Sequence, residues 1–159
     1  MIVRIETPEQ MGELGAAIAR QLRAGDLIAL DGELGAGKTT FTRGLGEALG
    51  VRGAVTSPTF VLARTHPRTD GPSLVHVDAY RLGSPAELDD LDIDFDRSIV
   101  AVEWAAGMLE GVTDDWLGLQ ITRPRGAQET EDGVEPRIVE ITPHGERWRG
   151  FELSGFRLS

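Results

Sequence analysis

Leu27-Ile28-Ala29-Leu30-Asp31-Gly32-Glu33-Leu34-Gly35-Ala36-Gly37-Lys38-Thr39-Thr40-Phe41 decides the fold of this chain. Leu27–Leu30 is an apolar run of strand length. Asp31–Gly37 is a glycine-rich loop. Lys38–Leu49 reads as a helix stopped by Gly50. Gly32 to Thr39 fit the pattern G-x-x-x-x-G-K-[ST], and the strand before and helix after are the context that pattern needs. Glycines let successive backbone N–H groups turn inward around phosphate oxygens. The helix starting at Lys38 aims the positive end of its dipole at the same anion. Lys38 is expected to reach the β and γ phosphates and the Thr39 hydroxyl to ligate Mg²⁺.

Composition singles out the same residue. The chain has 16 Lys and Arg together, and only Lys38 is a lysine. An ammonium is a compact point charge on a slim stem, whereas a guanidinium is a wide planar fork. A narrow phosphate pocket takes the first and not the second.

Outward from the loop, Ile2–Glu6 reads as a short strand. Thr7, Pro8 and Gln10 form a capping-box arrangement with proline at the first helical position. Met11, Leu14, Ile18 and Leu22 recur at helical spacing, so an amphipathic helix is predicted over Pro8–Leu22. Downstream, Thr59–Thr65 and Leu74–Ala79 read as a hairpin, Pro85–Leu91 as a short acidic helix and Ile99–Trp104 as a buried strand. Trp116–Thr122 and Arg137–Thr142 alternate as strands do, with a polar segment, Arg123–Pro136, between them. Helices interleaved with continuous apolar strands imply an α/β fold: a mostly parallel central sheet flanked by helices, with an antiparallel C-terminal extension.

At 159 residues the chain is long enough for one core. It has no cysteine, which excludes disulfide scaffolds and thiolate metal sites. No apolar run approaches the ~20 residues of a membrane helix, and Met1–Ile5 lacks a signal pattern. A cytoplasmic protein is expected. A net charge of −10 argues against autonomous binding of a nucleic acid. The best basic candidate, Arg147 with Arg149, reads more simply as scattered surface charge.

Phosphate chemistry also needs a carboxylate for the metal and a group that orients water. Glu103 closes the run Ile99–Val102, and the carboxyl ends of parallel strands line the ligand crevice. Asp78 closes His76-Val-Asp78; the plain reading, a turn cap or a pairing with Arg81, is stronger for it than an ordinary strand-end acid is for Glu103. Thr56-Ser57-Pro58-Thr59 stands where a switch-like segment would sense the γ-phosphate, or forms a plain Ser-Pro turn. The chain has no asparagine, so the guanine-reading N-K-x-D signature cannot occur. ATP is therefore favoured by exclusion.

Taken in order, Gly32 to Phe41, Arg43-Gly44, Ser57-Pro-Thr-Phe60, His76-x-Asp78-x-Tyr80-Arg81 and Glu103-Trp104 resemble the TsaE (YjeE) family over about residues 5–105. The resemblance implies a single P-loop ATPase domain over 1–159, serving bacterial threonylcarbamoyladenosine synthesis beside the tRNA anticodon. It also implies a TsaD–TsaB partner pair, with TsaD performing the transfer. By the family pattern, Thr39 and Glu103 would bind Mg²⁺, and Gly35, Ala36, Gly37, Lys38, Thr39 and Thr40 the phosphates. Thr7 would lie near the base, and Asp78 near the metal and γ-phosphate. Some relatives carry an arginine of the C-terminal hairpin at the nucleotide. Here Val134 takes the matching slot, with Arg137 close by.

A Mg²⁺-dependent ATPase of low intrinsic activity is the expectation, with Lys38, Asp78 and Glu103 as its catalytic residues. Either acid is a candidate to orient the attacking water. No self-contained arginine finger stands out, although Arg43, Arg64 and Arg81 are candidates. The alternatives are a P-loop small-molecule kinase and a nucleotide-gated scaffold.

Overall fold

The computed structural model describes residues 1–33, 35–53, 55, 62–123 and 136–153. Its strands are β1 (Ile2–Ile5), β2 (Leu27–Gly32), β3 (Ala63–His66), β4 (Leu74–Asp78), β5 (Ile99–Glu103), β6 (Trp116–Thr122) and β7 (Arg137–His144). Its helices are α1 (Pro8–Ala19), α2 (Lys38–Leu49) and α3 (Pro85–Asp89), and a 3-10 turn spans Glu146–Trp148. The segment Thr56-Ser57-Pro58-Thr59 and the interior of Arg123–Pro136 lie outside the described residues.

One sheet holds the strands in the order β1-β7-β6-β2-β5-β4-β3. The four inner strands β6, β2, β5 and β4 run parallel. Antiparallel strands extend both edges, β7 and β1 on one side and β3 on the other. The sequence reading expects antiparallel pairing in the C-terminal extension and in the hairpin of Thr59–Thr65 with Leu74–Ala79. In the structure the extension is completed by the first strand of the chain, and the hairpin supplies the other edge. β5 is buried along its whole length, as a central parallel strand must be.

Each face of the sheet carries its own core. On one, Leu14 and Ile18 of α1 and Phe41 and Leu45 of α2 pack on Ile28, Leu30, Leu119, Ile121 and Val139. On the other, Leu88 of α3 and the segment bearing Ala105 and Leu109 pack on Ala29, Val77, Val100 and Val102. Apolar side chains of β2 thus alternate between the two cores.

α1 starts at Thr7, whose hydroxyl accepts from Gln10 N–H at 3.1 Å. Gln10 reaches back at 2.7 Å to the N–H of Glu6, one residue earlier than the usual capping box. The helix ends before Leu22 because Gln21 and Leu22 donate three residues back, to Ile18 and Ala19. α1 and α2 cross at bare backbone: a Cβ on Gly44 would stand 2.3 Å from the Gly12 carbonyl oxygen. This contact sets α2, and with it the loop at its head, against the end of β2.

Candidate functional site

The turn between β2 and α2 is shaped by glycines. Gly37, the N-cap of α2, has φ 117°, and Gly35 has φ 79°, both in the left-handed region that side chains disfavour. Gly32 lies so close to β6 that a Cβ there would stand 2.6 Å from the Ile121 carbonyl oxygen. Gly37 offers no side-chain cap, so the first N–H groups of α2 are left for an anion.

Lys38 is buried at this helix start. Its ammonium donates to the carbonyls of Gly32 at 2.6 Å and Glu33 at 3.0 Å. It also lies 4.1 Å from the centroid of the Trp104 ring. Burial pushes the Lys38 ammonium below its usual range, while the charges of Glu103, Asp31 and Asp78, in that order, pull it back up. No ion pair joins any of these acids to Lys38 among the described residues.

Parallel pairing puts the two expected acids side by side: Asp78, ending β4, is in register with Glu103, ending β5. Glu103 is buried, and its Oε2 is hydrogen-bonded to Nε2 of the buried His76. Asp78 is half-buried and its Oδ1 accepts from Tyr80 N–H at 3.0 Å, so the turn-cap reading applies to it. Its charge nonetheless reaches Lys38. Thr39 and Thr40 occupy the first turn of α2, both half-buried.

Thr7, Gly35, Ala36, Gly37 and Thr40 line a separate cavity of about 110 Å³ beside the loop, together with Met11 and Arg137. The Thr7 hydroxyl already serves as the α1 cap there. Lys38, Asp78 and Glu103 thus gather at the carboxyl ends of β2, β4 and β5, and Thr7, Gly35, Ala36, Gly37 and Thr40 at this adjoining cavity.

Three residues were not given roles by the sequence. Asp31 accepts from Ala106 N–H at 3.0 Å and fixes the segment after Trp104 to the loop. His76 was visible only as part of a motif. Arg137 donates from Nε to the Ala36 carbonyl at 3.1 Å and from Nη2 to the Gly35 carbonyl at 3.5 Å. Arg137 therefore stands at the glycine turn itself. Arg147, by contrast, offers no basic patch. Its guanidinium is bound to Asp26 through two 2.9 Å contacts and lies over Trp148.

The donors suit a hard cation that brings most of its own ligands. Among the described residues no group of three or more His, Cys, Asp or Glu side chains is placed to hold a metal. The hydroxyl of Thr39 and the carboxylate of Glu103 are oxygen donors of the type Mg²⁺ takes while keeping phosphate and water oxygens.

Parallel inner strands, a glycine turn at the head of β2 and a buried lysine opening the next helix define a P-loop α/β protein. The sequence profile described as "Threonylcarbamoyl adenosine biosynthesis protein TsaE" matches residues 5–131. The TsaE protein of Streptomyces coelicolor is 58% identical over 148 residues, 91% of this chain and 97% of the relative. That of Bacillus subtilis is 34% identical over 147 residues, 91% of this chain and 87% of the relative. The crystal structure of Bacillus subtilis YdiB superposes with a TM-score of 0.72 at 29% identity, covering 94% of this chain and 88% of the other. The chain belongs to the TsaE family. The match runs past Trp104, where the motifs read from the sequence stop, to residue 131.

Proposed function

We propose that the chain is a single-domain, Mg²⁺-dependent ATPase of the cytoplasmic machinery that makes threonylcarbamoyladenosine in tRNA, working with a TsaD–TsaB pair. The observation that carries this reading is the buried Lys38 ammonium at the uncapped start of α2, facing the paired strand-end acids Glu103 and Asp78.

On binding, the triphosphate tail takes the place of the Gly32 and Glu33 carbonyls as the partner of Lys38. The loop's N–H groups surround the phosphates, and the cavity beside Thr7 and Arg137 receives the base side of the nucleotide. Thr39 and Glu103 would hold Mg²⁺, which would supply charge neutralisation to the phosphate oxygens. Asp78, whose Oδ1 is tied to Tyr80, orients a water in line with the γ-phosphorus. The water oxygen bonds to phosphorus as the bond to the β-phosphate oxygen breaks, giving ADP and inorganic phosphate.

Turnover by the isolated chain is slow on this reading. Arg43 is turned to the Val55 carbonyl, and Arg137 is tied to the loop's own carbonyls. On this reading a docked partner supplies or frees the arginine that stabilises charge developing on the phosphoryl group. The test is phosphate release with Mg²⁺ and ATP, with and without purified TsaD and TsaB. Release without any phosphate acceptor, raised by the pair and absent in Lys38→Ala, is expected. Phosphorylation of a small acceptor, or release unchanged in Lys38→Ala, sinks the reading.

A further inference from the structure

His76 lies on β4, two residues before Asp78, in register with Ala101 of β5, the strand that ends in Glu103. It is completely buried, and its Nε2 meets Glu103 Oε2. Its Nδ1 is equally buried and has no partner among the described residues. A buried N–H with no acceptor costs more than a bare ring lone pair, so the proton belongs on Nε2 and is donated to the carboxylate.

Glu103 is the strongest of the three charges acting on Lys38, yet no ion pair closes between them. In a buried pocket an unrestrained carboxylate and ammonium collapse onto each other. Such a pair would occupy both the metal's carboxylate and the phosphate's lysine. The imidazole anchors one oxygen of Glu103 and leaves Oε1 without a hydrogen bond among the described residues.

We propose that His76 is a positioning residue that clamps Glu103 Oε2, so that Oε1 is presented to the metal and Lys38 stays available to phosphate. This rests on the reading of Glu103 as a metal carboxylate. It needs no change in the charge of His76. It demands a donor at the position of Nε2.

That demand defines the test. A glutamine at 76 carries its amide near the place of Nε2, an asparagine carries it near Nδ1, and a leucine has no donor. The readout is equilibrium binding of a fluorescent ATP analogue at a series of Mg²⁺ concentrations, using the full chain, with circular dichroism to certify folding. His76→Leu and His76→Asn are expected to raise the half-saturating Mg²⁺ concentration by about tenfold or more, as loss of a ligand's hydrogen-bond partner does. His76→Gln is expected to stay within about threefold of the parent. Should His76→Leu fail to fold, the asparagine and glutamine pair decides alone. Asparagine and glutamine behaving alike, whether both near the parent or both weakened, overturns the proposal. Glu103→Gln separates the two levels. If it leaves the Mg²⁺ dependence unaltered, the metal assignment fails and this inference with it. If it raises the requirement while His76→Asn does not, only the role of His76 is lost.

Discussion

The Lys38 ammonium rests 4.1 Å from the centroid of the Trp104 ring while both of its close hydrogen bonds go to its own loop, at Gly32 and Glu33. Trp104 is held there with φ 59°, unusual for an aromatic residue, by its N–H bond to the Leu30 carbonyl at 2.9 Å. The Trp104 backbone is thus fixed to β2, with its ring beside the lysine.

Nucleotide binding, by drawing Lys38 onto phosphate, is expected to change Trp104 fluorescence. Trp148 is buried against Phe151 and Trp116 is stacked on His144, so neither adjoins Lys38. Trp104→Phe should abolish the change. Lys38→Ala should lower ATP affinity at least about tenfold, the cost of lost hydrogen bonds to a charged group, with the fold retained. Titration by fluorescence and calorimetry checks both, and a full signal in Trp104→Phe removes the assignment.

The crossing of α1 and α2 gives a paired prediction. Gly44→Ala should destabilise by about 1–3 kcal/mol, because its Cβ would meet Gly12 backbone at 2.3 and 2.5 Å. Gly12→Ala meets nothing nearer than 4.0 Å and should be neutral or stabilising by up to about 1 kcal/mol through helix propensity. Melting curves of the two variants check it; equal effects refute the geometry.

Much of this was legible in the sequence because it is local. The loop, the span of α2 and its Gly50 stop, the span of β6 and the Thr7 cap each depend on residues a few positions apart. The pairing of Asp78 with Glu103 could be approached only through the rule that parallel strands end together. What stayed hidden depends on residues distant in the chain. Arg137 finds Gly35 and Ala36 because β1 and β7 extend the sheet beyond β6, and His76 finds Glu103 because β4 pairs with β5. The antiparallel placement of β1 was equally hidden, since an edge strand carries no mark of its partner.

Asp26 and Arg147 form a second test of long-range order. The Asp26 carboxylate is buried, accepts from Nε and Nη2 of Arg147 at 2.9 Å each, and accepts from Arg23 N–H at 2.8 Å. Arg147→Met should cost about 3 kcal/mol by leaving a buried charge without its partner. Adding Asp26→Asn should recover part of that loss. Urea denaturation of the single and double variants checks it; strictly additive losses count against the pair.

His66 sets a pH dependence. It is buried on β3, its Nε2 has no partner among the described residues, and burial pushes its pKa below 6.5, helped by His76 and Arg64. Between the folded value and 6.5 the unfolded chain binds more protons, so stability rises with pH across that window. The contribution is complete above 6.5 and is lost as pH falls through the folded pKa. His66→Gln should therefore flatten the acid-side fall in Tm between about pH 7.5 and pH 5.5. An unchanged slope in that variant excludes His66 as its source.

β1 pairs with β7, the described strand farthest from it in the sequence, through Ile2–Glu140 and its neighbours. Until β7 has been made, β1 has nothing to zip against. The same delay applies to the Arg137 brace on Gly35 and Ala36. A nascent chain halted before β7 would carry every residue of its glycine turn and still lack the Arg137 brace on it.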